Sequence, residues 1–71
     1  MTTYKTGEKI KWKWGNNWAH GKVKSTFNSK TTRKIKGTEV TKHGSDDNPA
    51  LYIEQEDGDH VLKLASEVEK E

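Results

Sequence analysis

The sequence predicts an all-β fold, a small barrel or compact β-roll, and three observations carry the prediction. Residues 50–64 place Asp57-Gly58 between two alternating runs, a dipeptide suited to a hairpin turn whose two central residues both take positive φ. Residues 9–14 alternate strictly, with Ile10, Trp12 and Trp14 on one side and Lys9, Lys11 and Lys13 on the other, the pattern of a half-buried strand. Turn signals at Gly15-Asn16-Asn17 and Lys36-Gly37 separate further short strand-like runs. A chain of 71 residues is one domain, spanning residues 1–71 with loose ends at 1–6 and 70–71.

Taken in order, the first strand leads into a turn centred on Asn16-Asn17, which sets Trp14 opposite Ala19, Trp12 opposite Gly21 and Ile10 opposite Val23. Small residues facing the indoles leave room for the rings in a core. The second strand continues to Phe27, and Trp18 falls on the lysine-bearing face with Lys11, Lys13, His20 and Lys22. Residues 31–41 form a polar hairpin turning at Lys36-Gly37, pairing Ile35 with Thr38, Lys34 with Glu39 and Arg33 with Val40; only Ile35 and Val40 anchor it. Residues 42–49 are a loop punctuated by Gly44 and Pro49, in which Asp46, Asp47 and Asn48 can form side-chain turns.

A two-residue turn at Asp57-Gly58 then pairs Glu56 with Asp59, Ile53 with Leu62 and Leu51 with Leu64. That register sends Leu51, Ile53, Leu62 and Leu64 to the core, leaves Tyr52, Val61 and Lys63 outside, and sets His60 opposite Gln55. The run Ala65-Ser66-Glu67-Val68-Glu69 contains a Ser-x-x-Glu capping box, enough for one helical turn with Val68 packed beneath it.

Composition narrows the function classes. With no cysteine there is neither a disulfide framework nor a thiolate metal site, and His20, His43 and His60 lack short ligand spacing, so no metal and no cofactor are expected. The sequence contains no nucleophile elbow and no glycine-rich phosphate loop, which argues against an enzyme. The carboxylates of Glu54, Glu56, Asp57 and Asp59 cluster near one turn, where a paired acid/base or weak cation site and a solvated acidic edge account for them equally well. No apolar run approaches the ~20 residues needed to span a bilayer, and the expectation is a cytoplasmic monomer with no membrane partner. Charge is divided along the chain: ten lysines and Arg33 against two acids before Ser45, then two lysines against nine acids. The two halves attract each other, and the basic half can also face an anionic partner.

Residues across nearly the whole chain also carry a family resemblance. Gly7-Glu8-Lys9-Ile10-Lys11-Trp12, Trp14-Gly15 and Gly21-Lys22-Val23 resemble the first two strands of Tudor and related SH3-like barrels. Ile35-Lys36-Gly37, Gly44-Ser45, Asn48-Pro49-Ala50, Ile53-Glu54-Gln55, Asp57-Gly58, Val61-Leu62-Lys63 and Ser66-Glu67-Val68 resemble the small hypervirulence-associated TUDOR-domain family. The resemblance implies an SH3-like (Tudor-type) barrel with the polar hairpin as an elaboration between barrel strands two and three and a short C-terminal helical turn. It implies binding without catalysis. Tudor domains often hold methylated lysine or arginine in an aromatic cage, whose position corresponds here to Trp14, Trp18, Asp57 and Asp59. With Trp12 and Trp14 on the core face, that cage is partial, and it belongs to an alternative reading as a protein- or peptide-interaction module.

The leading candidate surface is the outward row of Lys9, Lys11, Lys13, Lys22 and Lys24 with Trp18 beside it. Lysines alternating on adjacent strands can follow the phosphates of RNA or DNA, and an exposed indole can stack on a base. The same lysines also serve to keep a strand edge from aggregating.

Overall fold

A computed structural model describes residues 4–71. Among them the chain forms β1 (Lys9–Trp14), β2 (Asn17–Phe27), β3 (Lys30–Ile35), β4 (Thr38–His43), β5 (Ala50–Gln55), β6 (His60–Leu64), a 3-10 turn at Ala65–Glu67, and the two-residue β7 (Glu69–Lys70). Antiparallel pairing builds a five-stranded sheet in the order β6-β5-β2-β1-β7, while β3 and β4 form a sheet of their own. The all-β architecture with an inserted hairpin is therefore the one the sequence predicts.

The β3–β4 register matches as well, with Ile35 opposite Thr38, Lys34 opposite Glu39 and Arg33 opposite Val40. Lys36 and Gly37 both take positive φ, 50° and 82°, as a two-residue hairpin turn of this type demands.

The β5–β6 register differs by one residue. Ile53 stands opposite Val61, Tyr52 opposite Leu62, Leu51 opposite Lys63 and Ala50 opposite Leu64. The loop has three residues, 56–58: the Gly58 amide donates to the Gln55 carbonyl at 3.0 Å, and only Gly58, at φ 92°, has positive φ. This is a turn closed by a left-handed glycine rather than the two-residue form, which would also need Asp57 at positive φ. Asp57 instead accepts the Asp59 amide through Oδ1 at 2.9 Å. His60 consequently faces Glu54, not Gln55, and its ring stacks on Tyr52 with centroids 5.0 Å apart.

The first hairpin is shifted by two residues, which preserves the faces but changes the partners. Trp12 stands opposite Ala19, Ile10 opposite Gly21 and Trp14 opposite Asn17. Gly15, at φ 59°, occupies the first central position, so the turn is Gly15-Asn16 and not Asn16-Asn17. Gly21 remains essential to the packing of Trp12: a Cβ there would sit 3.3 Å from the indole, 2.6 Å from Ile53 Cγ2 and 2.8 Å from the Glu54 carbonyl. Trp14 lies beyond the end of the core and is 68% exposed, against its sequence assignment to the interior.

Two packed layers result. The main core gathers Ile10, Trp12, Val23, Leu51 and Ile53 with Tyr4, Ala65 and Val68, and Ala19 and Val61 pack at its margin. Strand alternation turns Ala50 and Leu62 away from that core, yet both are buried, because the β3–β4 hairpin lies against β6. A bulge at Lys24 supplies this second layer. Val23 pairs with Ile53 and Ser25 with Tyr52, so Phe27 changes faces, pairs with Ala50, and receives the Arg33 guanidinium 4.6 Å above its ring.

The ends are tied into the sheet. The Gly7 amide donates to the Val23 carbonyl of β2 at 2.7 Å, Tyr4 is buried, and the Glu71 amide donates to the Lys9 carbonyl. Residues 1–3 of the segment expected to be loose lie outside the described residues. At the C-terminal turn, Glu67 rather than Glu69 makes the capping contact, accepting the Leu64 amide at 2.8 Å. Ser66 is engaged elsewhere: its amide donates to Asn48 Oδ1 at 2.9 Å and its hydroxyl accepts from Asn48 Nδ2 at 3.1 Å.

Candidate functional site

The lysine row lies on the outer face of β1 and β2. Lys9 stands opposite Lys22, Lys11 opposite His20 and Lys13 opposite Trp18. Trp18 is 44% exposed, and the Lys11 ammonium lies 4.9 Å from its ring centre, a distance at which the ring face attracts a cation. Lys24 sits on the bulge and pairs with Glu54 at 3.7 Å, whereas Lys9, Lys11, Lys13 and Lys22 form no ion pair among the described residues. The two like charges of Lys9 and Lys22 directly across the pair are unfavourable in isolation.

Acids border the row on both sides. Glu69 stands opposite Lys11 on β7. Glu71 and Glu54 share with Lys9, Lys22 and the Gly21 backbone an open hollow of about 420 Å³. His20 Nδ1 approaches Glu71 Oε1 at 3.0 Å but without hydrogen-bond alignment. The part of the row without ion pairs is thus a strip along β1 and β2, flanked by these acids and ending at Trp18.

Trp18 also lines a second hollow, of about 400 Å³, where three turns meet. Trp14, Asn17 and Ala19 line it from the first hairpin together with the buried Trp12; Ile35 and Lys36 come from the β3–β4 turn, and Gln55, Asp57, Val61 and Lys63 from the last hairpin. Of the residues in the partial cage, Trp14, Trp18 and Asp57 are brought together here. Asp59 is not at this hollow; its carboxylate binds the Lys36 ammonium at 3.0 Å, and that hydrogen bond and charge raise the Lys36 pKa above its ordinary value. Sequence reasoning missed Val61 and Lys63 as wall residues, since they reach this side only through the one-residue register change. It missed Ile35 and Lys36 because nothing local shows which turn the inserted hairpin approaches.

Among the described residues no group of three or more histidines, aspartates or glutamates is placed to hold a metal ion, and no helix is long and apolar enough to cross a membrane.

The five-stranded meander closed by a short last strand, with exposed tryptophans at the end of the first hairpin, defines a small Tudor-type domain of SH3-like form. The sequence pattern of the hypervirulence associated proteins TUDOR domain matches residues 7–68, and the chain belongs to that family. Neither a curated protein nor a solved structure gives a match to this chain.

Proposed function

We propose that this domain is a non-catalytic binding module whose ligand is nucleic acid, held through Lys9, Lys11, Lys13 and Lys22 with Trp18 at the end of the strip. The observation that carries this reading is the cross-strand pair Lys9 and Lys22, like-charged residues opposite each other on β1 and β2, neither of which forms an ion pair among the described residues although Glu54 stands opposite Lys22 on β5. A phosphate between them relieves the like-charge contact and releases counterions from the nucleic acid. Lys24, committed to Glu54, contributes least.

The alternative, a peptide module with a cage of Trp14, Trp18 and Asp57, is supported by their shared hollow. The neighbouring charges weigh against a cationic guest: Lys36 and Lys63 line the same space, Lys11 already lies over Trp18, and Asp59 is committed to Lys36.

The reading is tested by titrating the domain with an oligonucleotide at several salt concentrations. The strip from Lys9 to Lys13 is about 14 Å long. Two to three phosphate contacts along it give a slope of log K against log salt of about −1.4 to −2.1 on a single strand. Lys9→Ala with Lys22→Ala flattens the slope. A slope near zero, or no binding at low salt, refutes nucleic acid as the ligand.

A further inference from the structure

We propose that the hollow between Trp14 and Trp18 receives an unpaired nucleobase, so that the ligand is a single strand and not a duplex. This rests on the nucleic-acid reading and specifies which form of nucleic acid fits. The lysine strip and the tryptophan hollow meet at Trp18, whose ring has the Lys11 ammonium over it and also lines the hollow. A strand whose phosphates follow β1 and β2 therefore reaches the hollow at the end of its track.

The walls suit a flat aromatic guest. Trp14, Trp18, Ala19, Ile35 and Val61 present apolar surface, and the volume of about 400 Å³ lies within the range of small-ligand sites. The exposure of Trp14, the largest of any big hydrophobic side chain among the described residues, leaves most of its indole open to solvent. Indole faces stack on any base, whatever its sequence. Asn17, Gln55, Asp57 and Lys63 add polar groups at the same hollow that can meet a base edge.

Charge selects against the competing guest. Lys11, Lys13, Lys36 and Lys63 surround the two indoles, against the carboxylates of Asp57 and Asp59, so a methylated ammonium enters an already cationic neighbourhood while a strand carrying phosphates is attracted. A duplex keeps its bases paired and stacked and cannot place one between the turns without the cost of extruding it.

The test uses three probes on the whole domain: an oligothymidine of about eight nucleotides, the same backbone with abasic residues, and a duplex of equal length. Stacking lost from one base corresponds to about tenfold to a hundredfold weaker binding. The abasic strand and Trp14→Ala are each expected to weaken binding by about that factor, with an unchanged salt slope. Trp14→Ala is expected to have no effect on the abasic strand, and Trp14→Phe to restore most of the affinity. Equal affinity for the natural and abasic strands, or tighter binding of the duplex, overturns the base pocket while leaving the phosphate strip standing. Loss of binding to all three probes overturns both, as does Trp14-dependent binding of a trimethyl-lysine peptide in place of the strands. Trp14 is exposed, so the variant is expected to fold, and a cooperative melt like the parent's verifies it.

Discussion

The hydroxyl of Tyr4 donates a 3.2 Å hydrogen bond to the carbonyl of Val68, joining the two ends of the described chain inside the main core. Burial, reinforced by the carboxylates of Glu8 and Glu69, raises the phenol pKa above its ordinary 10.0. The Tyr4→Phe substitution keeps the ring and leaves the Val68 carbonyl without its donor. A loss of about 1 kcal/mol in urea unfolding is expected. An unchanged midpoint would show that the bond contributes nothing.

A second prediction concerns acid. Desolvation pushes the Glu67 carboxyl up, but the Leu64 amide and the Lys42 ammonium, 3.1 Å away, outweigh it and hold the pKa below its ordinary 4.5. Because the folded value lies below the unfolded one, the stabilisation is complete above about pH 4.5 and is lost as pH falls through the folded value. Glu67→Gln should therefore lower stability at neutral pH and reduce its fall on acidification, as followed by thermal melts between neutral and acid pH. An identical pH profile for parent and variant would remove Glu67 from the account.

Two glycines are expected to fail for different reasons. Gly58→Ala places a Cβ in the left-handed region but meets nothing within 4 Å, so the loss should be about 1–2 kcal/mol and Gly58→Asn should recover part of it. Gly21→Ala keeps an ordinary backbone and drives a Cβ into Ile53 and the Glu54 carbonyl. Overpacking of this kind costs about 1–3 kcal/mol or more, and no gentler residue rescues it. Denaturation of the three variants side by side separates the two mechanisms.

Leu62→Ala opens space beneath the inserted hairpin, a change that typically costs about 2–5 kcal/mol. Its location gives it a further signature: amide exchange should accelerate in β3 and β4 more than in β1. Uniform acceleration would mean that the hairpin and the sheet do not unfold as separable units.

The burial of Leu62 was legible in the sequence, but its direction was not. Asp57-Gly58 serves a two-residue loop and a three-residue loop equally well, and what separates them is whether Asp57 takes positive φ or hydrogen-bonds the Asp59 amide. Alternation could not arbitrate, since Ala50, Leu51, Tyr52 and Ile53 are apolar or aromatic on both faces of β5. The β3–β4 hairpin keeps the register its Lys36-Gly37 turn predicts because both residues do take positive φ, the condition that Asp57 does not meet. Trp14 was misplaced because the alternation of β1 continues one residue past the core it serves. In the candidate site, the basic row and Trp18 follow from strand parity. The hollow does not, because its walls come from three turns whose meeting depends on the β6 register and on where the hairpin lands.

The strand between the two packed layers has an evolutionary consequence. Along β5, Ala50, Leu51 and Ile53 have no solvent side, and Tyr52 lies beneath His60. Most strands have alternate positions where substitutions accumulate harmlessly, but over residues 50–53 that reservoir is missing, and an insertion or deletion in residues 56–58 would exchange the contents of both layers at once. Sequence drift in this chain is thereby channelled to the outward positions of β3 and β4, such as Lys34 and Glu39, where a changed side chain is exposed and meets at most its cross-strand partner.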